Sequence, residues 1–266
     1  MTVVVAFVGS DGAVMASDTE GTESGHTRTD VQKIWQVGSL LCGYSGSIAV
    51  RQPLAVALES TVATTFGEDA EIPRWEARGA LRTASLPVLQ EAYGNFVSDQ
   101  PGVFAGHVLG GVLLVAGRDA TGYWLLEVDQ NNNGQFYEEA GFHTIGSGSP
   151  AAYVAHALMK GYEPTGRSLV HLRLIAYRTV ETCIATLGGQ LGVGGRVDLW
   201  ASEANSPFAR ALDDECARIA AGVEQWTTIE RESLDKVVLD RGIAPQQAEA
   251  ELPEELDPRE VGDGDA

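Results

Sequence analysis

The chain has 266 residues, of which 44% are hydrophobic and 21% are charged, and its formal net charge is −19. This composition excludes wholesale disorder and is typical of one large globular domain or of one domain with an appendage. The acidic balance and the lack of a stripe of lysine and arginine residues argue against binding to nucleic acid or to anionic membrane surfaces.

The first hundred residues predict two hairpins followed by two helices. A continuous apolar run precedes the turn signal Ser10-Asp11-Gly12, and Gly38 separates two further strand signals. The first strand shows no polar alternation, so we expect both of its faces to be covered. The predicted strands are residues 3–8, 13–16, 34–37 and 39–44, and the predicted helices are residues 47–65 and 73–97.

The rest of the chain predicts more strands and helices and then an acidic tail. The predicted strands are residues 111–116, 123–128, 135–138 and 192–200, and the predicted helices are residues 150–160, 167–187 and 207–221, the last capped by Ser206. We expect a domain of residues 1–202, a helical or irregular appendage of residues 203–244 and a tail of residues 245–266. The tail holds eight acidic residues and three prolines, so we predict that it is disordered.

The order of these elements predicts an α+β fold. It is neither a regular alternation of strands and helices nor an all-β pattern. Two antiparallel sheets stacked face to face, with a helix pair on each outer face, bury both sides of each sheet. We therefore predict a four-layer αββα sandwich.

We expect no metal or other cofactor and a cytoplasmic location. The three cysteines are widely spaced, the histidines show no ligand spacing, no apolar run reaches the ~18 residues of a membrane span, and the start lacks a basic signal region. Residues 129–134 match the start of a calcium-binding loop. Ala140 stands where such a loop needs a glutamate, however, so we interpret the segment as a hairpin turn.

Thr2 follows the initiator methionine, which is commonly removed before a small residue. Removal would leave a hydroxyl and a free α-amine on one residue. A hydroxyl nucleophile needs a base, and an α-amine with a pKa near ~8 can take its proton. A Met-Thr start is also common in proteins without this chemistry, so both interpretations stay open here.

Asp18 ends the second predicted strand, and Lys33, one of only three lysines, precedes the third. With a three-residue loop that ends on a left-handed Gly12, Thr2 lies opposite Glu20, and Asp18 is about 7 Å further along. Lys33 can bridge that gap, lower the pKa of the Thr2 amine or hydroxyl, and be held by Asp18. The alternative is a surface aspartate and a solvated lysine.

Tyr44-Ser45-Gly46-Ser47 ends a predicted strand and opens a predicted helix. Backbone N–H groups at a helix N-terminus can stabilise an oxyanion, and Gly46 permits the close approach of a substrate carbonyl. The alternative is a plain strand-to-helix turn.

Several segments, taken in order, match one known family. They are Thr2, residues 12–18 with Thr22, Lys33-Ile34, residues 43–47, residues 113–119 and residues 145–149. The chain thus resembles, over residues 2–202, the proteasome β-type family of N-terminal nucleophile (Ntn) hydrolases, with its αββα sandwich. Within that family it is most similar to the bacterial Anbu branch, in the spacing of fifteen between Asp18 and Lys33 and in residues 191–199.

The resemblance implies a role for seven residues. The implied catalytic residues are Thr2 as nucleophile and base, Asp18 and Lys33 as its supports, Gly46 as oxyanion donor, and Ser147, and the implied substrate-binding residues are Thr22 and Ser47. Two departures bear on activity. Glu20 stands where the family has an arginine, and the family's Asp-x-x-Ser pair has no clear match at Gln190 with Val193 or Gly192.

The sequence therefore predicts a homo-oligomeric threonine endopeptidase that acts on peptides or unfolded proteins. Two alternatives are a catalytically inactive, structural proteasome-like subunit and an Ntn amidase or transpeptidase.

Overall fold

The computed structural model describes residues 2–23, 26–28, 30–67, 71–99, 111–137, 139–162, 168–188, 192–203 and 206–240. Their strands form two five-stranded antiparallel sheets and one small hairpin. The strands are β1 Val4–Val8, β2 Gly12–Asp18, β3 Gly21–Glu23, β4 His26–Arg28, β5 Ile34–Val37, β6 Leu40–Ser45, β7 Val112–Asp119, β8 Gly122–Val128, β9 Gly134–Phe136, β10 Phe142–Ile145, β11 Val197–Glu203 and β12 Ala209–Arg210.

The first sheet has the order β10-β1-β2-β11-β12, and the second has the order β5-β6-β7-β8-β9. Strands β3 and β4 pair with each other. The helices in the described part of the chain are α1 Ile48–Phe66, α2 Arg74–Asp99, α3 Ser149–Met159, α4 Leu169–Leu187 and α5 Asp213–Asp240, with a short 3-10 turn at Lys160–Tyr162. No helix among the described residues is long and apolar enough to cross a membrane.

The two sheets pack face to face on an apolar layer. Val4 and Met15 of the first sheet meet Leu41, Leu114 and Leu125 of the second in one buried cluster. The opposite face of the second sheet packs on α1 and α2, and α3 and α4 lie against the first sheet. Every residue of β1 is buried, because it is covered on one side by the other sheet and on the other by helices. The predicted αββα sandwich is confirmed.

The register of the first hairpin differs from the expectation by one residue. Val8 pairs with Ala13, and the Gly9 N–H donates to the Gly12 carbonyl, so the loop has two residues rather than three. The expectation that Thr2 lies opposite Glu20 is therefore wrong.

Two contacts of the hairpin loop account for this register. The Asp11 carboxylate accepts a hydrogen bond of 2.9 Å from the backbone N–H of Leu169, which ties the loop to the start of α4. Gly12 lies so close to the Ser202 carbonyl that a methyl group there would overlap it. Gly12 belongs to β2 and is a glycine because of this packing, not because of a left-handed backbone.

The C-terminal elements also differ from the expectation. The predicted helix over residues 207–221 is wrong at its start, because residues 209–210 form β12 on the edge of the first sheet and α5 begins only at Asp213. The Ala211 N–H donates to the Leu199 carbonyl and holds this segment on the sheet. Three acids in the first turn of α5 suit a helix start.

The chain divides into two compact units. The first unit is Met1–Val223, and the second is Glu224–Ala266. The expected boundary at residue 202 falls inside β11. The acidic tail, residues 245–266, lies outside the described residues.

Candidate active site

Thr2 lies just before β1 and is enclosed by the segment between β10 and α3. Its backbone N lies 3.2 Å from the Ser147 Oγ, and its carbonyl accepts a hydrogen bond of 3.1 Å from the Gly148 N–H. Gly146 has a φ of +101° and passes so close that a methyl group on it would overlap the Thr2 carbonyl. A glycine is therefore needed here for both its backbone conformation and its contact.

Asp18 and Lys33 form a buried ion pair next to Thr2. The Lys33 Nζ donates to the Asp18 Oδ1 at 2.6 Å, and the two side chains are 4% and 0% exposed. The backbone N–H of Val3 donates to the same oxygen at 2.9 Å, and the Gly194 N–H donates to the Asp18 Oδ2 at 3.1 Å. Three donors thus compensate this carboxylate for the loss of water.

The observed register explains how Asp18 reaches the start of the chain. Because Val4 pairs with Ser17 at the open end of the hairpin, the next residues along, Val3 and Asp18, face each other. The carboxylate can then accept the Val3 N–H directly, one peptide bond from Thr2. The expected separation of about 7 Å assumed the shifted register and is replaced by this contact.

Lys33 lies just before β5 and is buried. Burial lowers the pKa of Lys33 below its ordinary value, and the negative charges of Asp18 and Glu20 oppose that shift. An ammonium whose pKa is lowered exchanges its proton more readily near neutral pH than an ordinary lysine does. Lys33 is therefore held in one position by Asp18, while its protonation depends on burial and on the neighbouring acids.

The loop of residues 192–196 contributes a group that the sequence pattern did not indicate. The Gly194 carbonyl accepts hydrogen bonds from the N–H groups of Thr19 and Glu20, and the Arg196 N–H donates to the Thr19 Oγ1 at 2.9 Å. These bonds wrap the loop around the end of β2. For this reason β11 begins at Val197 rather than at residue 192.

Gly46 and Ser47 lie at the strand-to-helix turn between β6 and α1. Gly46 is exposed and has a φ of +155°, and the Ser47 carbonyl accepts the first hydrogen bonds of α1. A methyl group on Gly146 would lie 3.0 Å from the Ser45 Oγ as well as against Thr2. Gly146 therefore joins the Thr2 segment to the end of β6, where Gly46 begins the turn.

The comparisons with known proteins bear on this architecture. No protein-family model matches the chain, and no curated protein matches it. A solved structure of a Gly-1 mutant of Anbu from Hyphomicrobium sp. strain MC1 is similar, with a TM-score of 0.65 at 16% identity over 89% of this chain and 97% of that one. The chain has a proteasome-like fold. At this identity the likeness to Anbu shows the fold alone.

The structure brings most of the sequence-predicted residues to one place. The Thr2 N contacts the Ser147 Oγ, the N–H of the next residue, Val3, donates to Asp18, and Asp18 binds Lys33. Gly46 follows β6, whose last residue, Ser45, lies close to Gly146. Thr22 pairs with Thr27 through the backbone, and its side chain lies outside the described part of the structure. The catalytic and substrate-binding roles of these residues stay predictions.

The missed residue with the clearest contact is Gly194. Its signal in the sequence is the glycine-rich stretch Gly192-Val193-Gly194-Gly195, which falls within the predicted strand of residues 192–200. Glycines in a strand signal often mark a close backbone approach. Gly195, with a φ of +78°, fits a loop better than a strand.

In the turn after β8 that matches the start of a calcium-binding loop, oxygen atoms accept hydrogen bonds from other groups of the protein. The Asp129 Oδ1 accepts hydrogen bonds from the N–H groups of Asn131 and Asn133, as in an Asx turn. The carbonyls of Asn132 and Gly134 accept hydrogen bonds from arginine side chains of α2. In the described ranges, no group of three or more histidine, cysteine or acidic side chains is arranged to hold a metal ion.

Proposed function

We propose that the chain is a threonine hydrolase of the Ntn type that cleaves peptide bonds with Thr2 as its nucleophile. The observation that carries this proposal is the pairing of two contacts at the start of β1. The Thr2 N is 3.2 Å from the Ser147 Oγ, and the adjoining Val3 N–H is bound by the carboxylate that also binds Lys33. The proteasome-like fold supports the same proposal.

The first step begins when Met1 has been removed and the Thr2 N is an α-amine. The neutral amine takes the proton of the Thr2 hydroxyl while the hydroxyl oxygen attacks the substrate carbonyl. The ammonium of Lys33 stabilises the developing alkoxide, and Asp18 keeps the ammonium in place. The Gly46 N–H donates to the oxyanion of the tetrahedral intermediate.

The second step releases the products. The intermediate collapses to an ester on Thr2, and the leaving amine takes a proton from the Thr2 ammonium. A water molecule then gives a proton to the α-amine while its oxygen attacks the ester carbonyl. The resulting tetrahedral intermediate collapses to the acid product, and the Thr2 ammonium returns the proton to the departing Thr2 oxygen, which restores the hydroxyl and the neutral amine. Thr22 and Ser47 are the proposed contacts for the substrate main chain.

The proposed substrate is a peptide or an unfolded protein, and the proposed assembly is a homo-oligomer in the cytoplasm. Exposed apolar side chains on the outer helices support association, among them Val56 of α1 and Tyr153, Val154 and Leu158 of α3. Light scattering at micromolar concentration is expected to give a mass well above that of the single chain. A monomer would contradict the assembly without contradicting the chemistry.

The experiment that tests the chemistry is intact-mass measurement after exposure to a threonine-directed β-lactone. We expect the chain to lack Met1 and to gain one lactone adduct, and the Thr2→Ala variant to gain none. Hydrolysis of a peptide reporter should be abolished in the same variant, while its unfolding temperature stays close to that of the unaltered protein. Equal turnover by the Thr2→Ala variant would overturn the proposal.

The same measurement separates the two alternative functions. A retained Met1 without an adduct would indicate the catalytically inactive subunit, because the methionine blocks the amine. An adduct together with transfer of the acyl group to an added amine would indicate a transpeptidase. Peptide hydrolysis without such transfer agrees with the peptidase.

A further inference from the structure

Glu20 is the residue at the site that departs most clearly from the family pattern, and its side chain has a definite place. It follows Asp18 by two residues and is half-buried. Its backbone N–H donates to the Gly194 carbonyl at 3.0 Å. Its carboxylate lies against the same residue, since a methyl group on Gly194 would overlap the Glu20 Oε2.

Gly194 is therefore in contact with two acidic side chains of the site. Its N–H donates to the Asp18 Oδ2 at 3.1 Å, and the Glu20 carboxylate occupies the space where a side chain at position 194 would begin. The absence of a side chain at position 194 is what leaves room for Glu20. The position of the loop amide that supports Asp18 and the position of Glu20 thus depend on each other.

The charges around Lys33 give this arrangement an electrostatic consequence. Asp18 contacts the ammonium directly, and Glu20 is the other acid whose charge acts on it. Burial, and then the charge of Asp18, raise the pKa of the Cys183 thiol in α4 to about 11, so it is neutral near pH 7. Arg196 and Asp30 pair with each other at 3.2 Å on the exposed side. Once Met1 is removed, the α-amine of Thr2 adds a further charge to this part of the site.

We propose that Glu20 is a positioning residue of the site, whose carboxylate holds Gly194 against Asp18 and adds a second negative charge beside the buried ammonium of Lys33. The expected effect of Glu20 on the reaction rate rests on the proposed function, but its expected effect on the titration of Lys33 does not. The direction of both effects follows from the sign of the charge. A negative charge near an ammonium favours the protonated form.

The primary test is the titration of Lys33 by nuclear magnetic resonance with isotope-labelled lysine. The chain suits this measurement because its other lysines are only Lys160 and Lys236. Their signals are assigned by their loss in the Lys160→Arg and Lys236→Arg variants. In Glu20→Gln, which keeps the shape and removes the charge, we expect the midpoint of the Lys33 titration to fall by about 0.5–1 pH unit.

A second variant moves the carboxylate without removing its charge. In Gly194→Ala the new methyl group displaces Glu20, so the midpoint is expected to fall in the same direction. In a Glu20→Ala background the space is empty, and adding Gly194→Ala should cause little further change. This non-additivity is the signature of the contact. The matched control is Glu139→Gln at an exposed glutamate, which should leave the midpoint unchanged.

The rate of β-lactone labelling is the second readout. If charged Lys33 is the active form, the loss of labelling at high pH should move to lower pH in Glu20→Gln, with a three- to tenfold lower rate on that limb, as expected for about 0.5–1 pKa unit.

The outcomes distinguish the two proposals. An unlabelled wild type would end the proposed function, while the Lys33 titration would still decide the role of Glu20. Equal Lys33 midpoints in the wild type and Glu20→Gln, or additive effects of the Glu20→Ala and Gly194→Ala changes, would overturn the inference.

Discussion

Two ion pairs in this molecule place an aspartate at the end of a strand, and they differ in the cation that faces it. Asp18, at the end of β2, is paired with Lys33, and the two side chains are 0% and 4% exposed. Asp119, at the end of β7, is paired with Arg74 of α2, and these side chains are 12% and 18% exposed. The first pair belongs to the candidate site, and the second joins a helix to a hairpin turn.

Arg74 uses the fork of its guanidinium. Its Nε donates to one Asp119 oxygen at 2.8 Å, and its Nη2 donates to the other at 3.2 Å. The backbone N–H and hydroxyl of Thr121 also donate to Asp119, and together with Arg74 they hold the pKa of that carboxyl well below its usual range. The charges of this pair are fixed at every ordinary pH.

Lys33 differs because burial lowers its pKa while Asp18 opposes the shift. A lysine presents one compact charge with three donors, so it can contact Asp18 and still face the reacting group. An arginine cannot do so in the same space. The comparison shows why similar charges suit different tasks. The guanidinium fork fastens two elements, while the ammonium is suited to chemistry.

The largest expected effect comes from exchanging the cation in the buried pair. We expect Lys33→Arg to lower the rate of peptide hydrolysis at least ~100-fold, because the larger planar group cannot place a single charge between Asp18 and Thr2. The matched variant is Arg74→Lys, which should leave the rate unchanged. A Lys33→Arg enzyme with a nearly normal rate would show that the position needs only a positive charge.

A smaller effect, on stability alone, is expected from breaking the second pair. Arg74→Ala removes charge-assisted hydrogen bonds from a mostly buried carboxylate and should lower the free energy of unfolding by about 1.5–3 kcal/mol, measured by urea denaturation. The rate of hydrolysis should not change, since Arg74 contacts the turn after β7 and not the site. A lost rate with normal stability would contradict the division of tasks.

The pH dependence of that stability difference has a definite sign. A carboxyl whose pKa is lowered by folding stabilises the protein above its unfolded pKa of about 3.9, and this contribution is lost as the pH falls towards the folded value. The gap between the unaltered protein and Arg74→Ala should therefore be full at pH 6 and shrink below about pH 4. An equal gap at both pH values would mean that Arg74 acts through packing instead.

The sequence allowed the layers to be predicted better than the site. The unalternating first strand indicated a sheet covered on both sides, and Gly38 correctly marked the turn between β5 and β6, where its φ is +56°. Both are local signals. The register of the first hairpin was missed because it depends on Asp11 and Gly12 contacting the start of α4 and the end of β11, which are far away in the chain.

The support of Asp18 shows the same limit at the site itself. The residue type and spacing of Asp18 and Lys33 were visible in the sequence, but Gly194 lies 176 positions from its hydrogen-bond partner. A backbone donor carries no side-chain signature. The only sign of the loop in the sequence is the glycine-rich composition near position 194, and that composition is also compatible with a strand.

The smallest expected effect concerns the buried hydroxyl of Tyr44, which lacks, in the described part of the chain, the hydrogen bonds that the Asp18 carboxylate has. Within the described residues, the Tyr44 hydroxyl has no hydrogen-bond partner, and burial raises the pKa of Tyr44. It lies so close to Gly46 and Gly111 that a methyl group on either would overlap it. Burying a hydroxyl that makes no hydrogen bond destabilises the folded protein, and Tyr44→Phe removes that cost. The substitution should therefore leave stability unchanged or raise it by up to about 1 kcal/mol.

Urea denaturation of Tyr44→Phe measures this effect, and the rate of β-lactone labelling shows whether the hydroxyl matters beside Gly46. If the ring alone positions the turn, labelling keeps its rate, because phenylalanine fills the same space. A destabilisation above about 1 kcal/mol would show that the hydroxyl is bonded in solution, as every oxygen of Asp18 is. Slower labelling at normal stability would instead place the Tyr44 hydroxyl among the groups that support the Gly46 turn.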